Sequence, residues 1–138
     1  MDNLEAIRIL KARYFRHIDR KEWAELRTLF TDDAYIDVTD DVGPTGIREG
    51  GDRFVNGVAK ILEGTVTVHH GHMPELQITG SDTATGIWAM EDRVEWPDGR
   101  VTTGAGHYEE EYRLVEGGWR ISRMRLARIR VETTTPPG

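Results

Sequence analysis

The sequence predicts an α+β fold, with helices packed on one face of a strongly curved antiparallel sheet. Two patterns carry this expectation. Three segments in the first 62 residues repeat apolar positions at three- and four-residue steps, and four long segments from Thr65 onward alternate with period two. Turn signals rich in Gly, Asp and Pro separate the later segments, so they read as a meander. At 138 residues, with 38% hydrophobic residues and four Trp, the chain supports one core. The expected domain spans residues 1–132, and the TTTPPG tail, 133–138, is expected to be disordered.

Asp2 or Asn3 can cap a first helix whose apolar face is Leu4, Ile7, Leu10, Tyr14 and Ile18. Arg8, Lys11, Arg13 and Arg16 fall mostly outside that face. Tyr14 lies on it, as a core aromatic or as a phenol carried inward to a partner. Asp19–Lys21 reads as a break. Asp19 follows a helix end, where the macrodipole disfavours its charge; it either bonds backbone amides in a turn or points into a pocket. A second helix is expected over Glu22–Phe30, a turn at Thr31–Asp33, and a strand at Ala34–Val38. Asp40–Gly51 reads as a loop, and Gly51–Leu62 as a helix ended by Gly64. Strands are expected over Thr65–Ile78, interrupted near Gly71–Pro74, then Thr83–Trp96, Arg100–Val115 and Trp119–Val131. Trp96-Pro97-Asp98-Gly99 is a hairpin signal, and Gly104 and Gly106 mark a bend or bulge inside the third strand. Such helices and sheet enclose a cavity suited to an apolar ligand.

The net charge of −6 argues against nucleic acid, although Arg120, Arg123, Arg125, Arg128 and Arg130 concentrate positive charge late in the chain. The absence of cysteine excludes disulfides and thiolate chemistry. No apolar run reaches the roughly 20 residues needed to span a bilayer, and the charged N-terminus lacks a signal-peptide core, so a cytoplasmic protein is expected.

Five histidines occur, three of them in TVTVHHGHMPEL. In the second long strand Gly86, Trp88, Met90, Asp92, Val94 and Trp96 share one face, which is apolar except for Asp92. A carboxylate in such surroundings needs a partner. A histidine from the preceding strand would serve, and the pair would make a general base near neutral pH. Parity favours His70, which travels with Val66 and Val68, over His69, which travels with Thr65 and Thr67. The alternative is a structural histidine bonded to backbone carbonyls. His70-Gly71-His72 with a carboxylate could hold zinc, but His17 and His107 are remote and no second cluster has ligand spacing, so no metal is expected. Glu109-Glu110-Glu111 reads as a solvated edge. Tyr108 and Tyr112 share a face and line the cavity or fill it. In the last strand both faces are mixed, and pattern alone leaves Arg128 on the surface.

Taken together, KARYFRHID (residues 11–19) with Trp23, HHGHMPE (69–75), ATGIWAMEDR (84–93), and Gly118-Trp119 with Arg128-Ile129 resemble the SnoaL-like branch of the NTF2-like superfamily. Within it they are most similar to the bile acid 7α-dehydratases. The resemblance implies a conical α+β barrel, commonly trimeric, with neither metal nor organic cofactor. It implies a catalytic set of Tyr14, Asp19, His69, Asp92 and Arg128, and so selects His69 where parity favours His70. It further implies elimination of water from a hydroxylated 3-oxo-Δ4 steroid, free or as a coenzyme A thioester. In that expectation Asp92 orients His69, Tyr14 works within reach of Asp19, and Arg128 pairs with Asp19 or binds a polar substrate group. His70 departs from the apolar residue common at its position, and the 38–51 loop carries no substrate assignment. An enolising isomerase or cyclase, and a non-catalytic binding protein, use the same fold.

Overall fold

The structure, a computed structural model, describes residues 2–137. Met1 and Gly138, the outermost residues of the expected domain and tail, lie outside the described residues. Helix α1 (Asn3–Asp19) starts where the Asp2 carboxylate accepts the Leu4 amide, 3.0 Å away. Its buried face holds Ile7, Leu10, Tyr14 and Ile18 as expected, but also Lys11, which is fully buried. Placing Lys11 outside the apolar face was therefore wrong; the stripe is wider than its apolar residues show.

Helix α2 is shorter than expected, Trp23–Arg27, and Phe30 opens strand β1 (Phe30–Asp37) instead of closing a helix. The Thr28 hydroxyl takes the Glu25 carbonyl at 2.7 Å, and the Ile121 amide takes the Leu29 carbonyl at 2.8 Å, so sheet bonding claims this segment. The expected turn at Thr31–Asp33 appears as a register irregularity between Phe30 and Tyr35. The 40–51 segment has structure of its own. Helix α3 (Thr39–Val42), a 3-10 turn (Gly43–Gly46) and strand β2 (Ile47–Glu49) precede helix α4 (Gly51–Ile61).

Strands β3 (Val66–Ile78), β4 (Thr83–Glu95), β5 (Val101–Val115) and β6 (Gly118–Thr134) form the expected antiparallel meander. Thr133 and Thr134, expected in the tail, pair with Thr102 and Val101. The six-stranded order is β2-β1-β6-β5-β4-β3, and β1 joins β6 in parallel, the one departure from antiparallel pairing among the described residues. Its ends do not meet, so the curved sheet is an unclosed cone. Both expected irregularities are present. β3 shifts register between His72 and Glu75, with Met73 at φ 42°, and β5 shifts between Ala105 and Gly106. A Cβ at Gly106 would stand 2.2 Å from the Ala127 carbonyl oxygen, so only glycine allows β6 this close. The core of Ile7, Leu26, Phe30, Ile36, Ile121 and Met124 is fully buried and contributes none of the cavity lining.

Candidate active site

Between the sheet and helices α1, α3 and α4 lies a cavity of about 330 Å³, walled by Ile18, Phe54, Val58, Leu62, Val94 and Leu126. Tyr14, His69, Asp92, Tyr108 and Arg128 reach it from five different elements, α1, β3, β4, β5 and β6.

His69 is the inward histidine. Its side chain is 10% exposed, whereas that of His70 is 59% exposed. The parity expectation for His70 is overturned because the buried parity of β3 carries threonines. Thr65 and Thr67 are buried while Val66 and Val68 face outward. The Thr65 hydroxyl donates to the Leu62 carbonyl at 2.6 Å and the Thr67 hydroxyl to Asp19 at 3.0 Å, so neither needs water.

The same Asp19 carboxylate accepts the His69 backbone amide at 2.9 Å and lies 2.7 Å from His69 Nδ1. A carboxylate facing Nδ1 fixes the proton on that nitrogen and leaves Nε2 as the base. Asp19 thus points into the site from the end of α1 rather than capping a turn. Asp92 sits opposite His69 in the β3–β4 register, but its Oδ2 is 3.8 Å from Nε2, beyond hydrogen-bond length. The expectation that Asp92 orients His69 is therefore corrected: Asp19 does so.

Asp92 is gripped by Arg128, with Nη1 to Oδ1 at 2.9 Å and Nη2 to Oδ2 at 2.8 Å. Arg128 Nε also donates to Asp41 at 2.6 Å and its backbone amide to Asp40 at 2.9 Å. Burial works against the Arg128 charge, but the hydrogen bonds to Asp92 and Asp41 outweigh it and hold its pKa above the ordinary value. The arginine is not on the surface and does not pair with Asp19, as two of the sequence readings had it. Asp41 was not foreseen; no pattern in the 40–51 segment announces that α3 delivers it.

Tyr14 and Tyr108 meet at the cavity floor, rings 5.6 Å apart and edge to face. Burial first, and for Tyr108 the facing Tyr14, raises both phenols far above 10, so both remain O–H donors at any physiological pH. Tyr14 thus packs against Tyr108, while the Asp19 carboxylate is bonded to Thr67 and His69.

Below them lies a group that sequence reasoning missed. Lys11 Nζ stands 3.7 Å from the ring centre of Tyr14 and 3.6 Å from that of Tyr108, and contacts Glu110 Oε2 at 2.6 Å. Glu110 Oε1 accepts the Tyr112 hydroxyl at 2.6 Å, which in turn accepts Trp88 Nε1 at 2.9 Å. The glutamate run is thus not wholly a solvated edge, since Glu110 is fully buried. Alternation in Tyr108-x-Glu110-x-Tyr112 was the available signal.

A dyad of imidazole and carboxylate, a charge-locked second carboxylate and two phenols thus surround an apolar cavity in an open α+β cone. The sequence model of the SnoaL-like domain matches residues 1–125, and the chain belongs to that family. Solved structures with the same fold include three with close overlap. Kfla4162 from Kribbella flavida is 25% identical with TM-score 0.84, over 95% of this chain and 93% of that one. A putative scytalone dehydratase from Novosphingobium aromaticivorans is 20% identical with TM-score 0.83, over 97% and 89%. The hexachlorocyclohexane dehydrochlorinase LinA-type3 from Novosphingobium barchaimii is 20% identical with TM-score 0.79, over 96% and 94%.

Proposed function

We propose that this protein is a lyase that eliminates water from a small, mainly apolar β-hydroxy carbonyl compound, with a hydroxylated 3-oxo-Δ4 steroid as the leading substrate class. The carrying observation is the His69 imidazole, bonded to Asp19 at Nδ1 and lining an apolar cavity. The likeness in fold to the putative scytalone dehydratase and to the dehydrochlorinase LinA-type3 supports elimination as the reaction class.

In the proposed cycle His69 Nε2 takes the proton from carbon next to the carbonyl or its vinylogue, and the C–H electron pair enters an enolate. Tyr14 and Tyr108 hydrogen-bond the enolate oxygen. Their raised pKa values suit them to donating a hydrogen bond rather than losing a proton. The enolate collapses, the C–O bond breaks, and the imidazolium returns its proton to the departing oxygen as water. Asp19 and Asp92 flank that imidazolium at 2.7 and 3.8 Å and stabilise its charge. A cavity of about 330 Å³ lies at the small end of ligand sites, so any coenzyme A arm would remain outside.

Incubation with a panel of 7- and 12-hydroxylated 3-oxo-Δ4 steroids and smaller hydroxy-enones, read by mass spectrometry, tests the reading. Loss of 18 mass units, about one water, with a new extended-dienone absorbance is expected. His69→Ala and Asp19→Asn should each lower turnover at least ~100-fold, and His70→Ala far less. Binding with unchanged substrate mass across the panel would reject the lyase reading.

A further inference from the structure

We propose that the outer face of β3 and β4 carries a site for a zinc-class divalent metal ion, built from His70, His72 and Glu91. The site is separate from the cavity and does not depend on the lyase reading.

Strand alternation places His70 and His72 on one face with Gly71 between them on the other. Gly71 faces helix α1, where any Cβ would stand 2.6 Å from the Phe15 ring. The β3–β4 register sets Glu91 directly opposite His70. As a result Glu91 Oε1 lies 3.5 Å from His72 Nε2 and 3.9 Å from His70 Nδ1. One ligand atom from each residue falls within 4.8 Å of the others, and this is the one such group of three among the described residues.

Tetrahedral zinc with bonds of about 2.0–2.1 Å sets neighbouring donors about 3.3 Å apart. The side chains need to close by at most about 1.5 Å to meet that spacing, and at 59, 51 and 63% exposure they are free to rotate. Two imidazoles and a carboxylate match the nitrogen and oxygen preferences of zinc and leave a fourth position open to water. A bound ion would clamp edge strand β3 to β4 beside the irregularity at His72–Glu75, in the strand that supplies His69 from its opposite face.

The full chain, purified without a polyhistidine tag and stripped with a chelator, is titrated with zinc chloride by calorimetry and melted with and without zinc. One ion per chain is expected, with Kd of about 10 μM or tighter and a raised Tm. His72→Ala and Glu91→Ala should each weaken binding by about 10-fold or more and remove the Tm shift, with far-UV circular dichroism confirming that they fold. His107→Ala, outside the cluster, should bind as the parent does. Absence of binding up to about 1 mM zinc, or equal binding by the parent and both cluster variants, overturns the site.

Discussion

At the scale of the residue, the site depends on an atom that is missing. Gly104 stands opposite Asp92 on one side and Val131 on the other. A Cβ there would lie 2.7 Å from Arg128 Nη1, 3.0 Å from Asp92 Oδ1 and 3.1 Å from the Arg130 carbonyl. The backbone contact cannot yield, so in Gly104→Ala the ion pair must move. That variant should fold with a lowered Tm, because a buried ion pair is displaced, and at temperatures well below that Tm should still lose about 10-fold or more in turnover, because Asp92 no longer stands beside His69. Steady-state kinetics beside a thermal melt separate this outcome from general destabilisation; parent-like kcat would show that the position of Asp92 is not critical. The five residues that the resemblance selected all gather near the cavity, but their pairings were not legible. Residue types at matching places identify a site. Which carboxylate meets which cation depends on the end of α1, the β3–β4 register and the course of α3, none of which a one-dimensional pattern encodes. The resemblance selects His69, which is the inward histidine, whereas strand parity favours His70 and fails for a related reason: β3 buries its threonines, whose hydroxyls are satisfied by Leu62 and Asp19.

At the scale of the element, α1 and β5 meet through Lys11 and Glu110, 99 residues apart and both fully buried. Removing one partner strands the other charge without water, at a cost of about 3–5 kcal/mol, whereas replacing both with apolar residues of similar volume is often neutral or stabilising. Lys11→Met and Glu110→Leu should therefore each destabilise strongly in chemical denaturation, Glu110→Leu also leaving the Tyr112 hydroxyl without its acceptor. The double variant should recover most of the loss. Additive losses would mean that the pair is not coupled as its 2.6 Å contact requires. The elements themselves were largely legible, because alternation over β4 and the helical spacing of α1 and α4 are long signals. Charged residues broke the reading at two inward positions. Lys11 widens the buried stripe of α1, and Glu110 hides in a run of three glutamates although it shares a face with Tyr108 and Tyr112. A long-range partner is invisible until the strands are in register.

At the scale of the molecule, these buried groups set how stability depends on pH. Burial pushes the Lys11 ammonium down from 10.5 to about 8, against the pull of Glu110. Between those values the unfolded chain holds a proton on Lys11 that the folded chain has released, so stability rises with pH across that window and is lost again as pH falls through 8. Tyr14, Tyr108 and Tyr112 are shifted the other way, chiefly by burial. Above their unfolded value of 10.0 the unfolded chain loses protons that the folded one keeps, and stability declines. Guanidinium unfolding from pH 7 to 11 should therefore show a rise of about 1–3 kcal/mol between pH 8 and 10, then a fall. In Lys11→Met/Glu110→Leu the rising limb should vanish while the falling limb, carried by the three phenols, persists. An equal rise in the double variant would assign it to other groups and leave Lys11 an ordinary cation.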